Sequence, residues 1–175
     1  MHNLLWAMAD LYDYITILIT WLFVFAFLYC LSTSINKSDK SLAQISFIMM
    51  ASYTSSMVMD PQTATPHLKL FLFDAVTIIA LMIWMIFLSK AKPIAFYYLI
   101  VGLSFNAFVF YGMHYDSIVV GNIEYWWFWG LYGIGQLTSD LVMALVLFIN
   151  KDILGLAKLK RALFNRNELE AMAKK

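Results

Sequence analysis

The chain is a series of long apolar runs separated by short polar breaks, and the runs are all of similar length. They cover residues 13–34, 42–59, 70–89, 94–113 and 126–148. A hydrocarbon layer about 30 Å thick takes roughly 20 helical residues to cross. The pattern therefore predicts an all-α integral membrane protein with five transmembrane helices. The second run is the least apolar, because Gln44, Ser46, Ser52, Thr54, Ser55 and Ser56 dilute it. A re-entrant or interfacial helix is its other reading.

The polar breaks differ in charge. The first holds Lys37 and Lys40, the second Lys69, the third Lys90 and Lys92, and the fourth no basic residue. The segment after the fifth run holds the rest. With five crossings, eleven of the twelve Lys and Arg residues fall on one face. Basic loops stay in the cytoplasm, so the N-terminus is expected outside and the C-terminus inside. Dropping the second run would put the two Lys-pair loops on opposite faces, which favours keeping it. The exception, Lys69, lies at a helix start and can extend its ammonium to the outer interface. Asp10, Asp13, Asp60, Asp116 and Glu124 gather near the outer face. No basic residue precedes the first run, as a cleavable signal would require, so the first helix is expected to be retained.

Two units follow: residues 1–150 as the five-helix domain and 151–175 as a basic cytoplasmic tail. At 100° per residue, Ile153, Leu156, Leu159, Leu163 and Phe164 share one face of a tail helix, although Lys160 interrupts its edge. Lys151, Lys158 and Arg161 lie opposite. A basic amphipathic helix of this kind rests on anionic lipid. At the outer end of the fifth run, Trp126, Trp127 and Trp129 are expected as anchors at the headgroup level.

Composition agrees with this frame. The chain is 62% hydrophobic and 13% charged, with a mean hydropathy of +0.73, against about 25% charged residues in soluble domains. Membrane lipid is the expected surrounding, in a bacterial inner membrane. The net charge of +1 offers nothing to a nucleic acid. The single cysteine, Cys30, excludes an intrachain disulfide and any cysteine-pair redox or zinc motif, and it reads as a small packing residue. No cofactor is expected.

A weak internal repeat is present. Residues 11–18 (LYDYITIL) match 72–79 (LFDAVTII), each with an Asp near the outer end of a span and a Thr three residues later. The following segments match loosely at Ala43/Ala95, Ile48/Ile100, Ser52/Ser104 and Tyr53/Phe105. Two helical hairpins in the same orientation, plus a fifth helix, would produce this pattern.

Polar residues inside the spans carry the candidate chemistry, because an intramembrane charge is expensive and usually faces the bundle interior. Asp140 falls about two-thirds of the way along the fifth run. Gly130, Gly133 and Ala144 share its face, with Gln136 at the edge, and small residues permit close helix approach. Gly102 and Asn106 lie one turn apart on the fourth run. Gln44, Ala51, Ser52 and Ser55 share a face of the second. Converging, these faces would form a polar seam of Gln44, Ser55, Asn106, Gln136 and Asp140, able to bind a proton or a partly dehydrated Na⁺ or K⁺. Asp13 and Asp74 are expected as separate acidic sites toward the outside. The competing reading is that the seam only holds helices together by hydrogen bonds.

Enzymatic chemistry is not expected. An aspartyl dyad needs two carboxylates that meet, and Asp74 and Asp140 are predicted more than a helical turn apart in depth. His2, His67 and His114 show no metal-ligand spacing and are expected to be isolated and solvated. The leading function is an oligomeric channel or transporter for protons, small cations or small solutes. A non-enzymatic structural or assembly subunit of a larger membrane complex is the alternative. A phage holin-like pore, loosely suggested by small size and a basic tail, is a further one.

Overall fold

A computed structural model describes residues 2–58, 66–88, 92–122 and 124–156, with side chains from Tyr14 onward. All regular structure among these residues is helical. The helices are α1 (His2–Ser34), α2 (Ser41–Ser56), α3 (Pro66–Phe87), α4 (Ile94–His114) and α5 (Trp127–Ile149). A π-helical turn, Tyr115–Val119, prolongs α4, and a second, Leu131–Gly135, lies within α5.

Each helix packs on its sequence neighbours, and α5 returns to pack on α1, so the five form a closed ring. Side-chain pairs give the directions. Phe23 stacks on Tyr53 and Phe27 lies against Phe47, which makes α2 antiparallel to α1. Ser52 meets Thr77 and Gln44 meets Trp84, which makes α3 antiparallel to α2. Thus α1 and α3 point the same way, and α2 carries the chain back between them. Lys37, Lys40, Lys92 and Lys151 lie in the connections at one end of the ring, the lysine-rich end.

Four helices are long and apolar enough to cross a membrane: Tyr14–Ser34, Pro66–Phe87, Ile94–Val119 and Trp127–Ile149. Only 22% to 50% of each apolar window is buried inside the bundle. Trp21, Phe25, Ile86 and Phe108 are more than half exposed on its outside. Such a surface suits lipid rather than water, and the chain fits a small membrane protein. At 16 residues, α2 is about 24 Å long, somewhat short of the hydrocarbon thickness.

The boundaries moved where polar residues could be carried by a helix already started. The third helix begins at Pro66 rather than residue 70, since proline suits the first helical turn. Lys69 is therefore exposed on that turn and not in a loop.

The first residues after α5 are not helical, where the tail helix was expected to start. Asn150 adopts the left-handed conformation (φ 45°) and ends α5, its N–H bonded to the Val146 carbonyl at 2.7 Å. Its side-chain oxygen accepts from the Ala95 N–H at 3.2 Å. Tyr98 then donates to Asp152 at 2.7 Å and accepts from the Leu154 N–H at 2.6 Å. These bonds to α4 hold residues 151–155 as bends, so no amphipathic helix begins at Lys151, which is exposed. Lys158 and Arg161 lie outside the described residues.

The apolar interior is densest toward the lysine-rich end, where Ile45, Leu81, Leu99, Val146 and Leu147 are fully buried. Lipid tails are as apolar as these side chains, so close packing and interhelical hydrogen bonds must supply the association energy. Gly102 lets α5 approach until Met143 lies over its Cα, and Gly112 does the same for the ring of Phe128.

A candidate ion site at the centre of the ring

Asp140 is 2% exposed, and its carboxylate accepts from three side chains. Tyr53 Oη donates to Oδ1 at 2.5 Å and Asn106 Nδ2 to the same oxygen at 2.6 Å. Gln136 Nε2 donates to Oδ2 at 3.0 Å. The donors come from α2, α4 and the preceding turn of α5, so one carboxylate ties three helices together. Gln136 and Asp140 meet because positions four apart on an α-helix are neighbours. Tyr53 is held in turn by its stack on Phe23, ring centroids 4.0 Å apart.

Beside this cluster is a cavity of about 160 Å³. Asp140, Asn106, Gln136 and Tyr53 form one side. Asp74, Ser52, Ser56, Thr16 and Thr20 contribute polar atoms, and Phe73, Phe110 and Tyr132 much of the apolar wall. At about 30 Å³ per water, this is space for roughly five. Asp74 is 8% exposed and Asn106 1%. Asp74 Oδ2 and Asn106 Oδ1 are buried and make no hydrogen bond among the described residues.

Several expectations are corrected. Asp74 is not a separate acidic site: it lines the same cavity as Asp140, to which all five helices contribute. Gln44 is not part of the seam. It accepts from Trp84 Nε1 at 2.9 Å, in an apolar groove of about 750 Å³ between α1, α2 and α3. It lies nine residues before Tyr53, about 13 Å along the helix, so a shared face did not mean a shared depth. Ser55 is exposed, and Ser52 and Ser56 lie on the cavity instead. Asp13 is outside the residues whose side chains are described.

The small-residue face of α5 also differs. A Cβ on Gly133 would meet nothing within 4 Å, and one on Gly130 would meet only the Tyr125 hydroxyl. Leu131–Gly135 is π-helical, and a π turn holds more residues than an α turn. A wheel drawn at 100° per residue therefore loses register across it. The contact with α4 is made by Gly135, against Phe105, and by Gly102, against Met143.

The tryptophans at the start of α5 do more than stand exposed. Trp126 and Trp129 each donate an indole N–H to Asp116 Oδ2 at 2.9 Å, while Trp127 is 69% exposed. The histidines are not simply solvated. His67 meets the Tyr132 ring edge-on at 5.2 Å, and Nδ1 of both His67 and His114 is buried. No group of three or more His, Cys, Asp or Glu able to hold a metal occurs among the described residues.

The signal for Asp140, Gln136 and Asn106 was their polarity within apolar helices. Tyr53 and Asp74 were missed as members. A tyrosine in an apolar run reads as packing, and Asp74 reads as an outer residue by position alone. The repeat gave no guide either, since Ser52 lines the cavity while its counterpart Ser104 is exposed. No protein-family model, characterised protein or solved structure matches this chain.

Proposed function

We propose that this chain is a five-span membrane protein, N-terminus outside and C-terminus cytoplasmic. In this reading it works as an oligomeric channel or transporter whose central cavity binds a proton or a small cation. The observation that carries the proposal is the buried Asp140 carboxylate, opening onto a cavity that also holds Asp74. A carboxylate in lipid is costly, and a second one beside it adds like-charge repulsion. Packing alone would be served as well by apolar side chains. Bound positive charge offsets both terms.

The five-span count draws support from helix direction. Helices α1 and α3 run the same way and each is long enough to cross, so the chain between them has to return through the layer. The orientation draws support from Lys37, Lys40, Lys92 and Lys151 at one end.

The test is flux in proteoliposomes carrying a pH- or Na⁺-sensitive dye. Wild type is expected to dissipate an imposed gradient, and Asp140→Asn to abolish that activity. Transport unchanged by the substitution removes Asp140 from the function. The apolar groove between α1, α2 and α3 favours a second reading, a structural or assembly subunit with a partner helix in that groove. Co-purification with a fixed partner and no flux from the isolated protein would select it.

A further inference from the structure

The two carboxylates at the cavity are not equivalent. Asp140 is held by three donors, two on Oδ1 and one on Oδ2. Asp74 Oδ2 is buried, lines the cavity and accepts no hydrogen bond among the described residues. Asn106 spends its amide N–H on Asp140, which directs its carbonyl oxygen elsewhere, and that oxygen is likewise unpartnered. Two hydroxyls follow the same pattern. Thr20 donates its proton to the Thr16 carbonyl at 3.1 Å, and Ser56 donates to the Tyr53 carbonyl at 2.8 Å. A hydroxyl has one proton to give, so both present only lone pairs to the cavity. These four side chains thus offer acceptor oxygens, one carboxyl and three neutral groups.

We infer that Asp74, Asn106 Oδ1, Thr20 and Ser56 form a binding site for one monovalent alkali cation, with Asp140 as the positioning residue that aims Asn106. This rests on the cation-binding reading above and specifies it. Oxygen donors of this kind suit hard cations. An amide carbonyl coordinates a metal ion well but is too weak a base to take a proton, so the unpartnered Asn106 oxygen favours a cation over a bare proton. One free carboxylate balances one positive charge. A divalent ion would call on the second carboxylate, which already accepts from Tyr53, Asn106 and Gln136 and has about one of its four lone pairs left.

The experiment uses the full chain in neutral phosphatidylcholine nanodiscs. Thermal unfolding is followed while NaCl or KCl replaces choline chloride at constant ionic strength. Binding to the folded state raises the apparent Tm with cation concentration. Wild type is expected to show a saturable rise with Na⁺ or K⁺. Asp74→Asn is expected to fold, since it removes an oxygen that makes no hydrogen bond, and to lose the rise. Asp74→Glu is expected to keep part of it. Asp140→Asn is expected to lower the Tm in choline yet retain a weakened rise. A full rise in Asp74→Asn, with loss in Asp140→Asn, overturns the assignment and leaves cation binding by the cavity intact. No rise in wild type, with proton flux in liposomes, overturns the alkali site but leaves the proposed function standing. No rise and no flux overturns both.

Discussion

Asp140 and Asp116 each accept hydrogen bonds from neutral side chains, yet one is 2% exposed and the other lies half-buried at the end of α4. Asp116 takes two indole N–H groups, from Trp126 and Trp129, and the amide of Asn122 at 3.1 and 3.3 Å. Its partners lie six to thirteen residues away, so this clamp forms when one loop folds. The partners of Asp140 include residues 87 and 34 positions away, so that cluster exists only once the ring has closed. Donors freed at the end of α4 are partly exposed and can find other acceptors. Donors freed at the centre are left with one another and with a cavity that holds only a few waters.

The sharpest test of that contrast is removal of the central carboxylate. Asp140→Ala strands three donors, each worth on the order of 1 kcal/mol in membrane proteins. A loss of about 3 kcal/mol is expected from thermal or chemical unfolding in detergent micelles. A loss under about 1 kcal/mol would mean that the centre hydrates as easily as the end, and the distinction between the two carboxylates would collapse.

Packing reverses the order of the two regions. A Cβ on Gly112, near the end of α4, would strike the Phe128 ring, which is 8% exposed. A Cβ on Gly102, one turn before Asn106, would strike Met143, whose thioether can change rotamer. Gly112→Ala should therefore cost about 2 kcal/mol, as overpacking usually does, and Gly102→Ala about half of that. Equal costs would show that Met143 is as fixed as Phe128.

Tyr53→Phe sharpens the comparison at a finer scale. It removes one of the three donors to Asp140 and keeps the stack on Phe23. A cost of about 1 kcal/mol is expected, measured by the same unfolding assay. The phenylalanine variant should also leave Asn106 and Gln136 able to hold Asp140, so a much larger loss would show that the three bonds act as one cooperative unit.

What could be read from the chain divides along similar lines. Four of the helices were legible because their apolar runs have the length lipid demands; the closed ring was not, since it depends on contacts between α1 and α5. Gln136 with Asp140 was legible because spacing of four on one helix decides proximity locally. Tyr53 was not, because its role depends on α2 standing across the ring from α5, a fact of closure and not of spacing. Gln44 misled for the complementary reason: a helical wheel reports angle and discards depth. The π turn at Leu131–Gly135 defeated the wheel itself, and no residue pattern in Leu-Tyr-Gly-Ile-Gly announces one. Asp116 was read only as one of several acids near the outer face, and the indole donors ten and thirteen residues on were the available clue.

The smallest expected effect concerns that outer clamp. Asp116→Ala frees the indoles of Trp126 and Trp129 and the Asn122 amide, the same number of donor side chains that Asp140→Ala frees. If donor count decided the cost, the two variants would match. Solvent access should decide it instead. Trp126 is 39% exposed, and an exposed indole N–H can find another acceptor. The loss should stay below about 1 kcal/mol. It should appear more clearly as a shift of tryptophan emission than as a change in Tm, because the two rings lose a common acceptor. An unfolding penalty matching that of Asp140→Ala would show that the outer end is as sealed as the centre.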